Sequence, residues 1–156
     1  MNKALLSSNH NEWETPQELY DALNAEFGFD LDPCATHENA KCKLYYTKDE
    51  DGLSRPWHKV AGTVFMNPPY GREIGRWIKK AYYECLKGTT VVALIPARTD
   101  TSYWHDYCIK GEIRFIRGRL KFKGLNSRGE YVVNQPATFP SAIVIFKPRN
   151  PDGLIP

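Results

Sequence analysis

The sequence predicts an α/β domain, a compact mixed sheet with flanking helices, on three observations. The apolar run Thr63-Val64-Phe65-Met66 stops at Asn67-Pro68-Pro69-Tyr70 and gives way to a helical pattern, so strand, loop and helix follow one another. Residues 90–95 are wholly apolar and end at Pro96, as a strand buried on both faces requires. Four short apolar or alternating stretches then crowd into residues 112–146, separated by turn residues, and read as strands paired antiparallel.

In chain order, residues 1–11 are polar and expected to be loose. Thr15-Pro16-Gln17-Glu18 predicts a helix start, with Thr15 as N-cap, Pro16 at the first helical position and Glu18 closing a capping box. Leu19, Leu23 and Phe27 mark its apolar face, and Gly28 ends it. Phe29 to Leu31 reads as a short strand that ends at Asp32. Residues 41–61 form a connector with weak strand character around Leu44-Tyr45-Tyr46, and Asp51-Gly52-Leu53 is intrinsically a turn. From Glu73 to Lys87 the residues Ile74, Trp77, Ile78, Ala81 and Cys85 share one helical face, stopped by Gly88. After the 90–95 strand, Pro96 leaves Arg98 on a loop. Tyr103 to Ile109 reads as a short helix. Glu112 to Ile116, Leu120 to Phe122, Tyr131 to Val133 and Ala142 to Phe146 read as the four late strands. The proline-bearing tail, residues 148–156, is expected to lack structure.

At 156 residues the chain suits one domain, spanning 12–147, with a substantial core. A net charge of +3 permits nucleic-acid binding without demonstrating it. The basic residues are uneven, however. Arg114, Arg117, Arg119, Lys121, Lys123 and Arg128 share a stretch whose acids are Glu112 and Glu130, a pattern suited to phosphates or to a solvated hairpin face. Cys34, Cys42, Cys85 and Cys108 show no C-x-x-C spacing, which argues against a zinc site, and no metal is expected. No apolar run approaches about 18 residues, so a membrane span is not expected, and free thiols suit a reducing cytosol.

The chemistry concentrates at residues 67–70. An apolar strand ending in a rigid polar loop is how an open α/β sheet presents a site at a strand's carboxyl end. The loop fits methylation of an exocyclic amine on a nucleobase. That nitrogen is a poor nucleophile, because its lone pair is delocalised into the ring. The carboxamide oxygen of Asn67 and the carbonyl of Pro68 can each accept an N6–H bond, favouring a more tetrahedral nitrogen with more acidic protons. Pro68 and Pro69 fix φ and hold the acceptors rigid, while the Tyr70 ring offers a face for a flipped base. A turn with two prolines and a half-buried tyrosine is the plain alternative, and the flanking strand and helix weigh against it.

On these residues the chain resembles the small phage and prophage DNA N-6-adenine methyltransferases, from about Trp13 to Phe146. Trp13-Glu14-Thr15-Pro16 resembles the family's N-terminal signature, and Phe29-Asp30-Leu31-Asp32-Pro33-Cys34-Ala35 its acidic first-strand motif. Asp51-Gly52-Leu53 with Trp57, the Asn67–Tyr70 motif, residues 94–98 and residues 118–122 complete the likeness. The resemblance implies a Rossmann-like methyltransferase fold, S-adenosylmethionine as cofactor, adenine in DNA as substrate, and action in a bacterial host's cytoplasm. It implies cofactor contacts from Trp13, Thr15, Pro16, Asp32, Pro33, Cys34, Ala35 and Asp51. Nucleic-acid contacts are expected from Arg72, Arg98, Arg117, Arg119, Lys121 and Lys123. One departure is plain: Thr36-His37-Glu38-Asn39-Ala40 contains no glycine where methyltransferases generally turn on one.

Pro33-Cys34 invites cytosine-C5 chemistry, but that needs a thiolate and a ring acid that the motif lacks. Protein glutamine and RNA bases present planar NH₂ groups similar to adenine's. An inert nucleic-acid binder on the same scaffold would have no need of both acceptors and the stacking ring.

Overall fold

Where apolar strands alternate with amphipathic helices, burying both requires a sheet with helices against it, and the chain adopts that solution. The computed structural model describes residues 13–125 and 128–148. The expectations for residues 1–11, and for the tail from 149 onward, lie outside the described residues.

Among the described residues eight strands form: β1 (Leu31–Asp32), β2 (Leu44–Tyr45), β3 (Thr63–Met66), β4 (Thr90–Pro96), β5 (Glu112–Phe115), β6 (Lys121–Leu125), β7 (Tyr131–Pro136) and β8 (Ser141–Phe146). Six make one mixed sheet in the order β2-β1-β3-β4-β8-β5. The pairs β1–β2, β1–β3 and β3–β4 are parallel, whereas β8 runs antiparallel to both β4 and β5. β6 and β7 form a separate antiparallel hairpin. Among the described residues the α-helices are α1 (Gln17–Phe27), α2 (Ile74–Leu86) and α3 (Ser102–Asp106).

The strands at the centre are the apolar ones. Residues Val91–Ile95 of β4 and Ala142–Phe146 of β8 are buried throughout, as strands packed on both faces must be. α2 buries the face read from its period, Ile74, Trp77, Ile78, Ala81 and Cys85, together with one charged residue that shares that face. That residue is Glu84, wholly buried. Its Oε1 accepts from both the backbone N–H and Nδ1 of His58 at 2.8 Å, and Lys80 Nζ lies 3.3 Å from Oε2. Burial alone would raise the Glu84 carboxyl, but His58 and Lys80 outweigh it and hold it below its ordinary value. This buried carboxylate ties the 41–61 connector to the helix behind the Asn67 loop.

Several expectations need correction. α1 begins at Gln17, with Pro16 as a cap that offers no side-chain hydrogen bond. Thr15 does not cap: its hydroxyl accepts a bond from the Asn67 amide at 2.9 Å instead, because a half-buried amide NH₂ needs two acceptors. Gly28 does end α1, at φ 67. The first strand is Leu31–Asp32 rather than 29–31, since it pairs only over the two residues opposite β2. Pro96 is the last residue of β4, opposite Ser141, rather than the residue after it. The expected 103–109 helix divides into α3 and a 3-10 turn at Cys108–Lys110.

Candidate active site

Between β1 and β3 the chain changes direction across the sheet. From β1 it goes outward to β2, then crosses back to β3 on the opposite side. Such a switch point leaves a crevice at the strands' carboxyl ends, where open α/β sheets take their ligands. Here the two ends carry Asp32-Pro33-Cys34 and Asn67-Pro68-Pro69-Tyr70. They are joined directly, for the Cys34 thiol donates to the Asn67 carbonyl at 3.3 Å.

The Asn67 side chain is oriented by what surrounds it. Its Nδ2 donates to the Trp13 carbonyl at 2.7 Å and to Thr15 Oγ1 at 2.9 Å. A carbonyl can only accept, so the nitrogen must face the 13–15 segment and the oxygen must face away. That oxygen, Oδ1, is buried and has no hydrogen-bond partner among the described residues. A buried acceptor left unmatched costs about 1–3 kcal/mol, so an incoming N–H donor would be strongly favoured there.

Two cavities lie beside this loop and Trp13 lines both; Tyr70 lines the larger and Asn67 the smaller. The larger, about 760 Å³, is bounded by Tyr70, Arg72, Arg98, Phe122 and Phe139 among others. That volume falls in the usual range for a small-molecule or base pocket. The smaller, about 20 Å³, is walled almost wholly by polar groups, among them Glu14, Asp32, Asn39, Lys41 and Asn67.

Tyr70 sits in the wall of the larger cavity and is only 5% exposed. Its ring meets Phe122 and Phe139 edge to face, with centroids 6.2 and 5.6 Å away. Its hydroxyl donates to the Leu94 carbonyl at 3.0 Å, a role that sequence reasoning did not give it. Arg98 is exposed at the rim, with its guanidinium 5.8 Å from the Phe139 centroid, and Arg72 is exposed on the same rim.

On the other side, Asp32 is 5% exposed, and its Oδ2 accepts the Lys41 backbone N–H at 3.1 Å. Burial pushes the Asp32 carboxyl up to about 6, against the lowering effect of backbone donors at Lys41 and Cys34. Burial also raises the Cys34 thiol well above its ordinary value, which weighs against a cysteine nucleophile there. Pro33 and Ala35 are buried, and Ala35 N–H bonds to the Tyr46 carbonyl at 2.9 Å. The glycine-free turn is closed by side chains instead. Thr36 N–H donates to Asn39 Oδ1 at 2.7 Å and Asn39 N–H to Thr36 Oγ1 at 3.1 Å.

Asp51 is exposed at φ 54 and borders neither cavity. Its neighbour Gly52 explains the turn better: a Cβ there would stand 2.0 Å from the Pro33 carbonyl oxygen, so only glycine allows the turn to rest on the Asp32-Pro33 loop. Arg117, Arg119, Lys121 and Lys123 are exposed on and beside the β6–β7 hairpin, outside both cavities. The Lys123 carbonyl accepts the Glu14 N–H at 2.9 Å, which pins the 13–15 segment to the hairpin. Arg114 leaves the basic stretch, because Glu26 takes both its terminal nitrogens at 2.7 Å and Glu112 its Nε at 2.6 Å.

Sequence reasoning missed Glu14, Asn39, Lys41 and Phe139. Phe139 carries no motif and arrives through the β7–β8 connection. Lys41 sits in a connector without pattern and is placed by its backbone bond to Asp32.

Comparison with known families makes the chain that carries this crevice a methyltransferase: the family model described as DNA N-6-adenine-methyltransferase (Dam) matches residues 2–155. The DNA N-6-adenine-methyltransferase of Haemophilus phage HP1 is 30% identical over 153 residues, covering 95% of this chain and 85% of the phage protein. The DNA N-6-adenine-methyltransferase of Escherichia phage T1 is 33% identical over 93 residues, covering 59% of this chain and 38% of that protein. The chain belongs to the DNA N-6-adenine-methyltransferase (Dam) family.

Proposed function

We propose that this DNA adenine-N6 methyltransferase transfers a methyl group directly to a flipped adenine at specific sites, with the Asn67 loop as the catalytic element and S-adenosylmethionine as the donor. The observation that carries the reading is Asn67 Oδ1, a buried acceptor without a partner whose orientation is fixed from behind by Trp13 and Thr15.

An adenine in the larger cavity would lie against the aromatic wall of Tyr70, Phe122 and Phe139. Its N6–H groups would donate to Asn67 Oδ1 and the Pro68 carbonyl, bonds that strengthen as the nitrogen becomes tetrahedral and its protons acidic; as the N–C bond forms and the donor's S–C bond breaks, one N6 proton would leave to water. The loop needs no nucleophile and no strong base. Tyr70, anchored at Leu94, sets the position of the loop's far end.

The smaller cavity's chemistry fits the methionine end of the cofactor. A buried carboxylate, Asp32, stands beside polar groups from Thr15, Asn39 and Lys41. When bound, S-adenosylmethionine supplies a methyl group activated by a positively charged sulfur. Asp32 would hold its ammonium group, with Thr15, Pro33, Cys34 and Ala35 forming the wall. A volume of about 20 Å³ admits little more than a water, so the cavity must widen to admit it while the Trp13 carbonyl and the Thr15 hydroxyl keep their hold on Asn67. The order β2-β1-β3-β4, with the switch at β1/β3, also supports a Rossmann-like reading of the sheet.

The test is transfer of a labelled methyl group to a panel of duplex DNA, single-stranded DNA, RNA and a glutamine peptide, with product identified after digestion. Label recovered as N6-methyladenine from DNA is the expected result. Label confined to RNA or to the peptide contradicts the proposal.

A further inference from the structure

The β6–β7 hairpin breaks the alternation of a regular antiparallel pair. Phe122 stands opposite Gln135 and Gly124 opposite Val132, so one residue of β6, Lys123, meets two of β7, Val133 and Asn134. That is a β-bulge, and Asn134 takes up the extra length at φ 59, a left-handed conformation that asparagine tolerates better than most residues. The bulge reverses which face the following side chains take. Tyr131 and Val133 are exposed, and by simple alternation Gln135 would join them in solvent. Instead Gln135 is half-buried and lines the larger cavity beside its cross-strand neighbour Phe122, while Asn134 and Pro136 are exposed. Bulges of this kind re-aim side chains next to active sites.

Gln135 brings a carboxamide to a wall that is otherwise largely aromatic, and its side chain has no hydrogen-bond partner among the described residues. The other polar groups there are differently placed. Arg72 and Arg98 are exposed cations at the rim, suited to phosphates, and the Thr101 hydroxyl is committed to the Arg98 carbonyl at 2.7 Å. An adenine whose N6–H groups are held by Asn67 and Pro68 still presents ring nitrogens, which accept and do not donate. A carboxamide NH₂ is complementary to such a nitrogen and brings no net charge into an aromatic pocket.

We infer that Gln135, turned inward by the bulge, is a specificity-determining residue that donates a hydrogen bond to a ring nitrogen of the flipped adenine; this rests on the proposed placement of adenine in the larger cavity. A base with carbon at that ring position leaves the amide unmatched.

The test is single-turnover methyl transfer to a synthetic duplex carrying a sequence that the wild type methylates. Its target adenine is replaced in turn by 1-deaza-, 3-deaza- and 7-deazaadenine, each of which keeps the amine and exchanges one ring nitrogen for C–H. Gln135→Met keeps the length of the side chain and loses the amide. It should be slower than the wild type by about 5- to 100-fold on adenine and on two of the analogues, the range for a polar group left without its partner, and equal to it on the third. Because the two proteins are compared on the same DNA, any change in the amine's own reactivity cancels. Gln135→Glu, of the same shape but without the N–H donors, should give the same pattern and serves as the second variant. Thermal unfolding reports whether each variant folds. A variant equal to the wild type on all four substrates, or slowed by the same factor on all four, overturns the inference and leaves the placement of adenine standing. A wild type that forms no N6-methyladenine in any DNA overturns that placement and the inference with it.

Discussion

The two ends of the Asn67 side chain answer different needs. The nitrogen is bound to Trp13 and Thr15, and the oxygen is left bare in a buried crevice. Asn67→Ala removes an acceptor proposed to act in the transition state, and losing one such contact typically lowers the rate about 10²- to 10³-fold. Single-turnover methyl transfer should show that loss while S-adenosylmethionine affinity changes far less. Tyr70 makes a different prediction. Tyr70→Phe deletes the buried bond to Leu94, worth about 0.5–1.5 kcal/mol, yet keeps the ring between Phe122 and Phe139. Tyr70→Ala leaves a cavity and should cost about 3–5 kcal/mol. Urea unfolding of both variants checks the order, and the Phe variant should keep most of its activity. Asp32 adds a pH dependence. Its carboxyl ionises at about 6 in the folded chain, raised above its ordinary value, so its stabilising contribution is lost as pH rises through 6 and a buried charge remains. A ligand ammonium would offset that charge. S-adenosylmethionine affinity should therefore hold above pH 7 and fall up to about tenfold per unit below 6, with the fall absent in Asp32→Asn.

At the level of elements, the β6–β7 hairpin presents the basic groups. Arg117, Arg119 and Lys121 are exposed and have no ion-pair partner among the described residues, whereas Arg114 is committed to Glu26 and Glu112. A triple Ala variant at 117, 119 and 121 should bind all DNA sequences more weakly. It should also reduce the slope of log affinity against log salt by about 1 per lost phosphate contact. Arg114→Ala should leave the slope unchanged, which separates phosphate contact from general charge. An unchanged slope in a folded triple variant removes the hairpin from the DNA surface. The elements were legible in the sequence where one physical demand dominates. α2 announces itself because its buried face repeats at the helical period, and β4 because it is apolar on both faces. Thr15 departs from its local capping pattern because the distant Asn67 amide claims its hydroxyl. Glu84, Lys41 and the Tyr70 hydroxyl were illegible, since each is defined by a partner far away in the chain, His58, Asp32 and Leu94. The insertion of β8 between β4 and β5 is likewise non-local, so no window of sequence contains it.

For the whole molecule, the parts converge on one place. Trp13 lines both cavities, Glu14 is tied to the hairpin through Lys123, and Thr15 braces Asn67. One short segment thus touches the proposed donor cavity, the base cavity and the catalytic side chain. Trp57, Trp77 and Trp104 are buried, so donor binding should register in the fluorescence of Trp13 and the change should vanish in Trp13→Phe. The claim on which everything else depends is that the Asn67 loop methylates adenine at N6 in DNA. It is tested most directly by sequencing plasmid, with modified-base detection, from cells that lack other methyltransferases and express either the wild type or Asn67→Ala. N6-methyladenine is expected at a defined sequence context in the wild-type plasmid and should be nearly absent from the variant's. Unmodified adenine beside abundant folded wild-type protein, or equal methylation by Asn67→Ala, would contradict it.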